Sequence, residues 1–218
     1  MHRFAHALVA VSVISIASCA SVAYAADGDE AAADRIFGVL PNYTTVDTSI
    51  APKQTTHDAF KVAALGTFDP VVYPFIGLTT ALGQGSNGSN YGERYATAFA
   101  DNAIGNFMTT AVVASVTNED SRYYRRGEGG AFSRLAYAAS RSVVTRTRAG
   151  AATFNIAEIA GTAGAAGLSN LYYSPADRTV SGTMSRWGTQ LMWDTVANEL
   201  KEFWPDIRSK LRRRSSHL

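Results

Sequence analysis

The chain has 218 residues and a formal charge of +2, with 46% hydrophobic and only 17% charged residues. That is charge-poor beside the ~25% usual for soluble domains, and the near-neutral balance excludes a strongly basic nucleic-acid binder. A single cysteine excludes an internal disulfide framework and a multi-cysteine metal site, while 11% aromatic residues argue against a disordered polymer.

Met1-His2-Arg3 is a short basic start, and Phe4 to Ser18 is apolar. Ala23-Tyr24-Ala25 follows as a small-residue cleavage site, so residues 1–25 read as a secretory signal peptide removed after Ala25. A second reading takes Ile16-Ala17-Ser18-Cys19 as a lipobox with Cys19 as the lipidated residue. The apolar run continues past Cys19, which favours simple cleavage. Export to the periplasm or outer membrane of a bacterium is therefore expected.

Residues 26–53 are acidic and rich in turn formers, and are expected to form an extended arm pinned by Ile36, Phe37, Val39 and Leu40. A helical domain is expected over 54–207. Thr55 or Thr56 caps its first helix, with Asp58 in the first turn, and Asp69-Pro70 ends it. Val71 to Leu82 is a second apolar stretch, followed by a Gly-rich loop from Gly83. Glu93 to Thr117 spaces Ala96, Ala100, Ala103, Phe107 and Ala111 as a long helix.

Ala131 to Arg148 reads as the most amphipathic helix. Phe132, Leu135, Ala136, Ala139 and Val143 fall within an arc of about 100°, which predicts a core-facing stripe with Arg134, Arg141 and Arg148 toward solvent. Thr153 to Tyr173 and Met184 to Trp204 are further helices, with Pro205 starting a last turn and 208–218 forming a basic tail. No run alternates well enough to build a sheet. The fold class is all-α, a single domain of five to six helices with an extended N-terminal arm.

Few motifs carry chemistry. Gly83-Gln84-Gly85-Ser86-Asn87-Gly88 matches a dinucleotide fingerprint but lacks the preceding strand, so no cofactor is expected. His57 reads as a surface residue, no Ser-His-Asp arrangement is evident, and too few histidines exist for a metal site. Catalytic and metal sites are both read as none.

Two features stand out. Arg122, Arg125, Arg126, Arg134, Arg141, Arg146 and Arg148 face only Glu128 between residues 121 and 150. Arg forks suit phosphate and carboxylate, so Arg134, Arg141, Arg148, Arg122, Arg125 and Arg126 are candidate contacts to an anionic partner. The alternative is a solvated face. Glu158 is the only charged residue between Arg148 and Asp177. It is read either as a buried carboxylate paired with an arginine or as a functional glutamate in a pocket or membrane. Ala157, Gly161 and Gly164 on the same helix predict close packing.

The segments Asp34-Arg35-Ile36-Phe37-Gly38-Val39-Leu40-Pro41-Asn42-Tyr43, Ser121-Arg122-Tyr123-Tyr124-Arg125-Arg126-Gly127 and Glu202-Phe203-Trp204-Pro205-Asp206-Ile207 resemble a family of secreted acidobacterial proteins without an assigned activity. The resemblance implies export and an envelope setting, and it carries over no catalytic residue. The expectation is a non-enzymatic envelope protein that associates with a membrane surface or an anionic envelope component. The alternatives are an envelope hydrolase or transferase using Glu158 with arginines, and a lipid-anchored or integral scaffold. No nucleic-acid partner is expected, and the oligomeric state is open.

Overall fold

The computed structural model describes residues 35–36, 42–46, 51–82 and 90–215. The expected leader, Cys19, most of the acidic arm and the Gly83–Gly88 loop lie outside the described residues. The remainder is predominantly helical, as expected, with six helices and five short strands among the described residues.

Helix α1 spans Thr56–Phe68 and starts at a reciprocal cap. Thr55 Oγ1 accepts the Asp58 amide at 3.1 Å, and the Asp58 carboxylate accepts the Thr55 amide at 2.9 Å. Asp69 ends the helix and turns the chain into α2, Val72–Ala81. Helix α3 is continuous from Tyr91–Asn106 through a π-helical segment, Phe107–Val112, to Val113–Thr117. Asn118 closes it in the left-handed conformation, φ 58°.

The strands are β1 (Thr45–Val46), β2 (Glu119–Asp120), β3 (Tyr123–Tyr124), β4 (Val144–Thr147) and β5 (Ala152–Phe154). The parallel pair β1–β3 aligns Thr45 with Tyr123, and β2–β4–β5 form an antiparallel sheet. These strands correct the expectation of one helix from Ala131 to Arg148. Helix α4 covers only Ala131–Ser140. Val143, Val144, Thr145 and Thr147 are β-branched and lose little by extending, and the ladder to β2 and β5 supplies backbone partners that a longer helix would forgo.

Helix α5 is Ile156–Ser169, and after a 3-10 turn at Pro175–Asp177, α6 runs from Val180 to Ser215. No new turn begins at Pro205. The helix passes through it, accepting the loss of one backbone hydrogen bond.

The core sits where α1 and α5 pack on the π-helical segment of α3, and where α4 and α5 pack on α6. Its apolar part is mostly small: Ala59, Ala63, Ala111, Ala114, Ala138 and Ala166 are buried. The largest fully buried side chains are polar, among them Glu119, Glu202, Thr67, Thr162 and Asp69. Small residues let the helices come close. A Cβ at Gly161 would lie 3.0 Å from Thr109 Cα, so the close-packing expectation for this helix holds.

Candidate functional site

Two polar centres lie inside the bundle. At the first, Glu202 on α6 is fully buried. Its carboxylate accepts Arg134 Nε at 2.8 Å, Tyr123 Oη at 2.8 Å, and the amides of Arg126 and Gly127 at 3.0 and 2.9 Å. Burial alone would raise the Glu202 carboxyl, but these bonds outweigh it and hold it below its ordinary value. Every lone pair is used, so this centre is a structural hub. It also joins two of the quoted segments, Ser121–Gly127 and Glu202–Ile207, and the chain just after the third is tied to them where Tyr123 N donates to Thr44 O at 2.8 Å.

The hub overturns the expected orientation of α4. Arg134, expected toward solvent, is only 7% exposed and is paired with Glu202 and Asp206, while Phe132, expected in the core, is 84% exposed. Leu135 and Val143 are exposed as well. A buried carboxylate demands a partner more strongly than one phenylalanine demands burial, and Glu202 faces α4 on the side where Arg134 sits.

The other arginines are also engaged. Arg122 grips Asp120 through Nε and Nη2 at 2.9 and 2.7 Å. Arg141 lies 4.6 Å over the Tyr137 ring, Arg148 donates to Thr56 and Ser115 at 2.8 and 3.0 Å, and Arg126 donates to Ser133 at 3.0 Å. The Arg125 amide donates to Val46 O at 3.0 Å within the β1–β3 pairing. The six candidate arginines thus do not form one outward face. His57 is exposed in the first turn of α1, as expected.

The second centre borders a half-open cleft of about 1340 Å³ that runs between the helices. Asn155 Oδ1 caps α5 by accepting the Glu158 amide at 3.0 Å, which aims the Glu158 side chain across at α6. Its charged neighbours there are Asp194 and Lys201, not an arginine. The arginine-paired reading of Glu158 is thereby corrected. All three side chains line the cavity. Desolvation and then Asp194 raise the Glu158 carboxyl well above its ordinary value, and Asp194 is raised by desolvation too. Desolvation lowers Lys201. Two carboxyls in hydrogen-bonding reach, with one ammonium nearby, are stable with a proton between them.

Elsewhere along the cavity, Asp101 accepts Tyr172 and Tyr173 hydroxyls at 2.6 and 2.5 Å, and burial pushes its carboxyl up despite them. Trp187 Nε1 donates to Thr162 at 3.0 Å and fastens α6 to α5. Asp194 and Lys201 were missed in the sequence because Leu191, Met192, Val196 and Leu200 surround them. The overlooked signal is the seven-residue spacing of Trp187, Asp194 and Lys201, which puts them on one stripe of α6. Among the described residues, no group of three or more His, Cys, Asp or Glu is placed to hold a metal ion.

On α4, α5 and the first half of α6 the exposed positions are the reverse of this interior. The exposed residues of α4 are Ala131, Phe132, Ser133, Leu135 and Ala136, and those of α5 are Ile156, Ala160, Ala163, Gly167 and Leu168. From Val180 to Val196 the exposed positions of α6 include Met184, Met192 and Trp193, and none is charged. Arg134, Glu158, Arg186 and Asp194, the charged residues of these stretches, all have less than full exposure and face neighbouring elements. Among the described residues no single helix is long and apolar enough to cross a membrane; α1 with α2, bent by 52°, reaches that length only as a pair.

Fold and site define a helical protein with buried charged pairs, charge-free exposed stretches on α4, α5 and the first half of α6, and a cleft between the helices. No family model, curated protein or solved structure matches the chain.

Proposed function

We propose that the protein is a non-enzymatic, exported component of a bacterial cell envelope that beds the uncharged outer face of α4, α5 and the first half of α6 in lipid. The observation that carries the reading is the inverted distribution of polarity. Phe132, Leu171, Val180 and Met184 are exposed, while Glu119, Glu202 and Asp69 are buried. Exposed apolar side chains in this number on charge-free helix faces support contact with a membrane or partner. Because Arg134 is consumed internally, the contact is hydrophobic first and only secondarily anionic. The leader ending at Ala23-Tyr24-Ala25 supports the export half of the proposal.

Vesicle flotation of the purified chain tests the contact. The expected result is co-flotation with both neutral and anionic vesicles, little changed by salt at 0.5 M, where screening is already within about 3–10 Å. Recovery of the protein in the bottom fraction with both vesicle types would reject lipid contact. Loss of flotation on neutral vesicles alone would return the arginines to the leading role. Intact-mass measurement of native protein tests the export half: a chain beginning at Ala26 supports it, and a retained leader rejects it.

A further inference from the structure

The cavity at the α5–α6 interface is not accounted for by lipid contact. We propose that it is a binding site for a small primary ammonium compound, received by the carboxyl pair of Glu158 and Asp194. The inference goes beyond the lipid reading and does not depend on it.

Three observations support it. The carboxyl pair opens onto a cleft that extends from α1 and α2 to α6 and totals about 1340 Å³, where a pocket for a small molecule needs a few hundred. The Oε1 atom of Glu158 is buried and has no hydrogen-bond partner, although the residue as a whole is only half-buried. An acceptor left unmade at such depth is costly, and an N–H donor is what would satisfy it. With one proton shared, the pair is balanced by Lys201, the one cation beside Glu158 and Asp194, so a further cation can enter only as that proton leaves. Finally, no third carboxylate, histidine or cysteine joins the pair among the described residues, so the site suits a hydrogen-bonding organic cation better than a bare metal ion.

The other charged groups along the cavity have partners of their own, Arg122 in Asp120, Arg146 in the Tyr124 ring and Asp177 in Ser174, although Arg186 Nε is buried without one. Arg141 stacks on Tyr137 and bonds Ser140, Arg186 bonds Asn170 and lies over Tyr173, and Asp101 is held by two tyrosines. Binding is an exchange that balances in charge: the ammonium enters, both carboxyls become carboxylates, and the proton held between them leaves to solvent. Lys201 competes with the incoming cation, because its own ammonium neutralises the same pair.

Calorimetric titration of the full chain with n-butylammonium, with tetramethylammonium as a control lacking N–H donors, tests the site. The expected result is saturable binding of n-butylammonium, release of close to one proton read from buffers of different ionisation enthalpy, and affinity that rises by up to tenfold per pH unit across the pair's titration. Tetramethylammonium should not bind. Glu158→Gln should abolish binding while keeping the helical circular-dichroism signal, and Lys201→Met should tighten it. The proposal is overturned by no saturable binding up to about 10 mM, an affinity weaker than ~3 kcal/mol. Equal binding of tetramethylammonium, or binding without proton release, overturns it too; both are read on the unaltered chain, so a variant that misfolds does not protect the idea. Flotation can fail while this titration succeeds, and the reverse, so the two proposals fall separately.

Discussion

Arg134 on α4 donates through Nε to Glu202 on α6 at 2.8 Å, with both side chains buried. Its Nη2 also reaches the Glu202 carbonyl at 2.6 Å, and its guanidinium lies 4.6 Å from the Phe203 ring centroid. The pair locks α4 to α6 and fixes which face of α4 meets the core. Truncating one partner strands a buried charge, which costs about 3–5 kcal/mol. Arg134→Ala is therefore expected to lower the unfolding free energy by that amount, read from the shift of the urea midpoint, whereas Phe132→Ala on the same helix should cost little. Equal losses for the two variants would show that α4 is oriented the other way round.

Stability should also fall in acid because of this hub. The Glu202 carboxyl is depressed in the fold, so its contribution is present above the ordinary glutamate value and is lost as pH drops through the depressed one. Glu202→Gln should flatten the acid limb of a stability-against-pH curve. An unchanged acid limb would assign the acid sensitivity to other carboxylates, such as Asp69 and Asp120.

The carboxyl pair at the cavity titrates with the opposite sign. Glu158 and Asp194 are both raised in the fold, so the native state holds protons the unfolded chain has released. Stability is expected to decline as pH rises from the ordinary carboxyl value through the raised one. Denaturation at pH 5 and pH 8 measures this, and Glu158→Gln should reduce the difference. A larger pH 8 deficit in the variant would mean the pair is ionised and held by Lys201.

Three glycines on α5 separate close contact from helix propensity. Gly161 would place a Cβ 3.0 Å from Thr109 Cα and 3.1 Å from its amide nitrogen, Gly164 would meet only the mobile end of Met108 at 3.0 Å, and Gly167 would meet nothing within 4 Å. Gly161→Ala should cost about 1–3 kcal/mol through overpacking. Gly164→Ala should be near neutral, and Gly167→Ala should stabilise by up to ~1 kcal/mol. Thermal denaturation of the three single variants gives the order directly.

The arm is fastened by charge as much as by hydrophobic contact. Arg35 donates to both Asp69 oxygens at 3.1 and 2.7 Å, and Tyr43 adds a bond at 2.6 Å. Asp69 lies at the α1–α2 turn and is fully buried. Arg35→Ala should cost about 3 kcal/mol and speed protease cleavage between residues 35 and 51. Cleavage at the wild-type rate would mean the arm is held by other contacts.

Helix number and most boundaries were legible because they depend on local chemistry. Thr55 and Asp58 cap α1, Asp69 stops it, and Tyr91–Thr117 follows its alanine spacing. Ile36 is buried, as its place in the arm suggested, whereas Phe37, Val39 and Leu40 lie outside the described residues. What the chain could not reveal alone was which side of a helix faces inward. The stripe Phe132, Leu135, Val143 obeyed the usual rule of apolar inside, yet the fold turned Arg134 inward because Glu202, sixty-eight residues away, needed a cation. The same holds for Glu158, whose neighbours Asp194 and Lys201 come from another helix. Caps and breaks are set within a few residues by the backbone's own hydrogen bonds. The facing of α4 and the pairing of carboxylates are set by desolvation, which exists only once distant segments have closed around a charge.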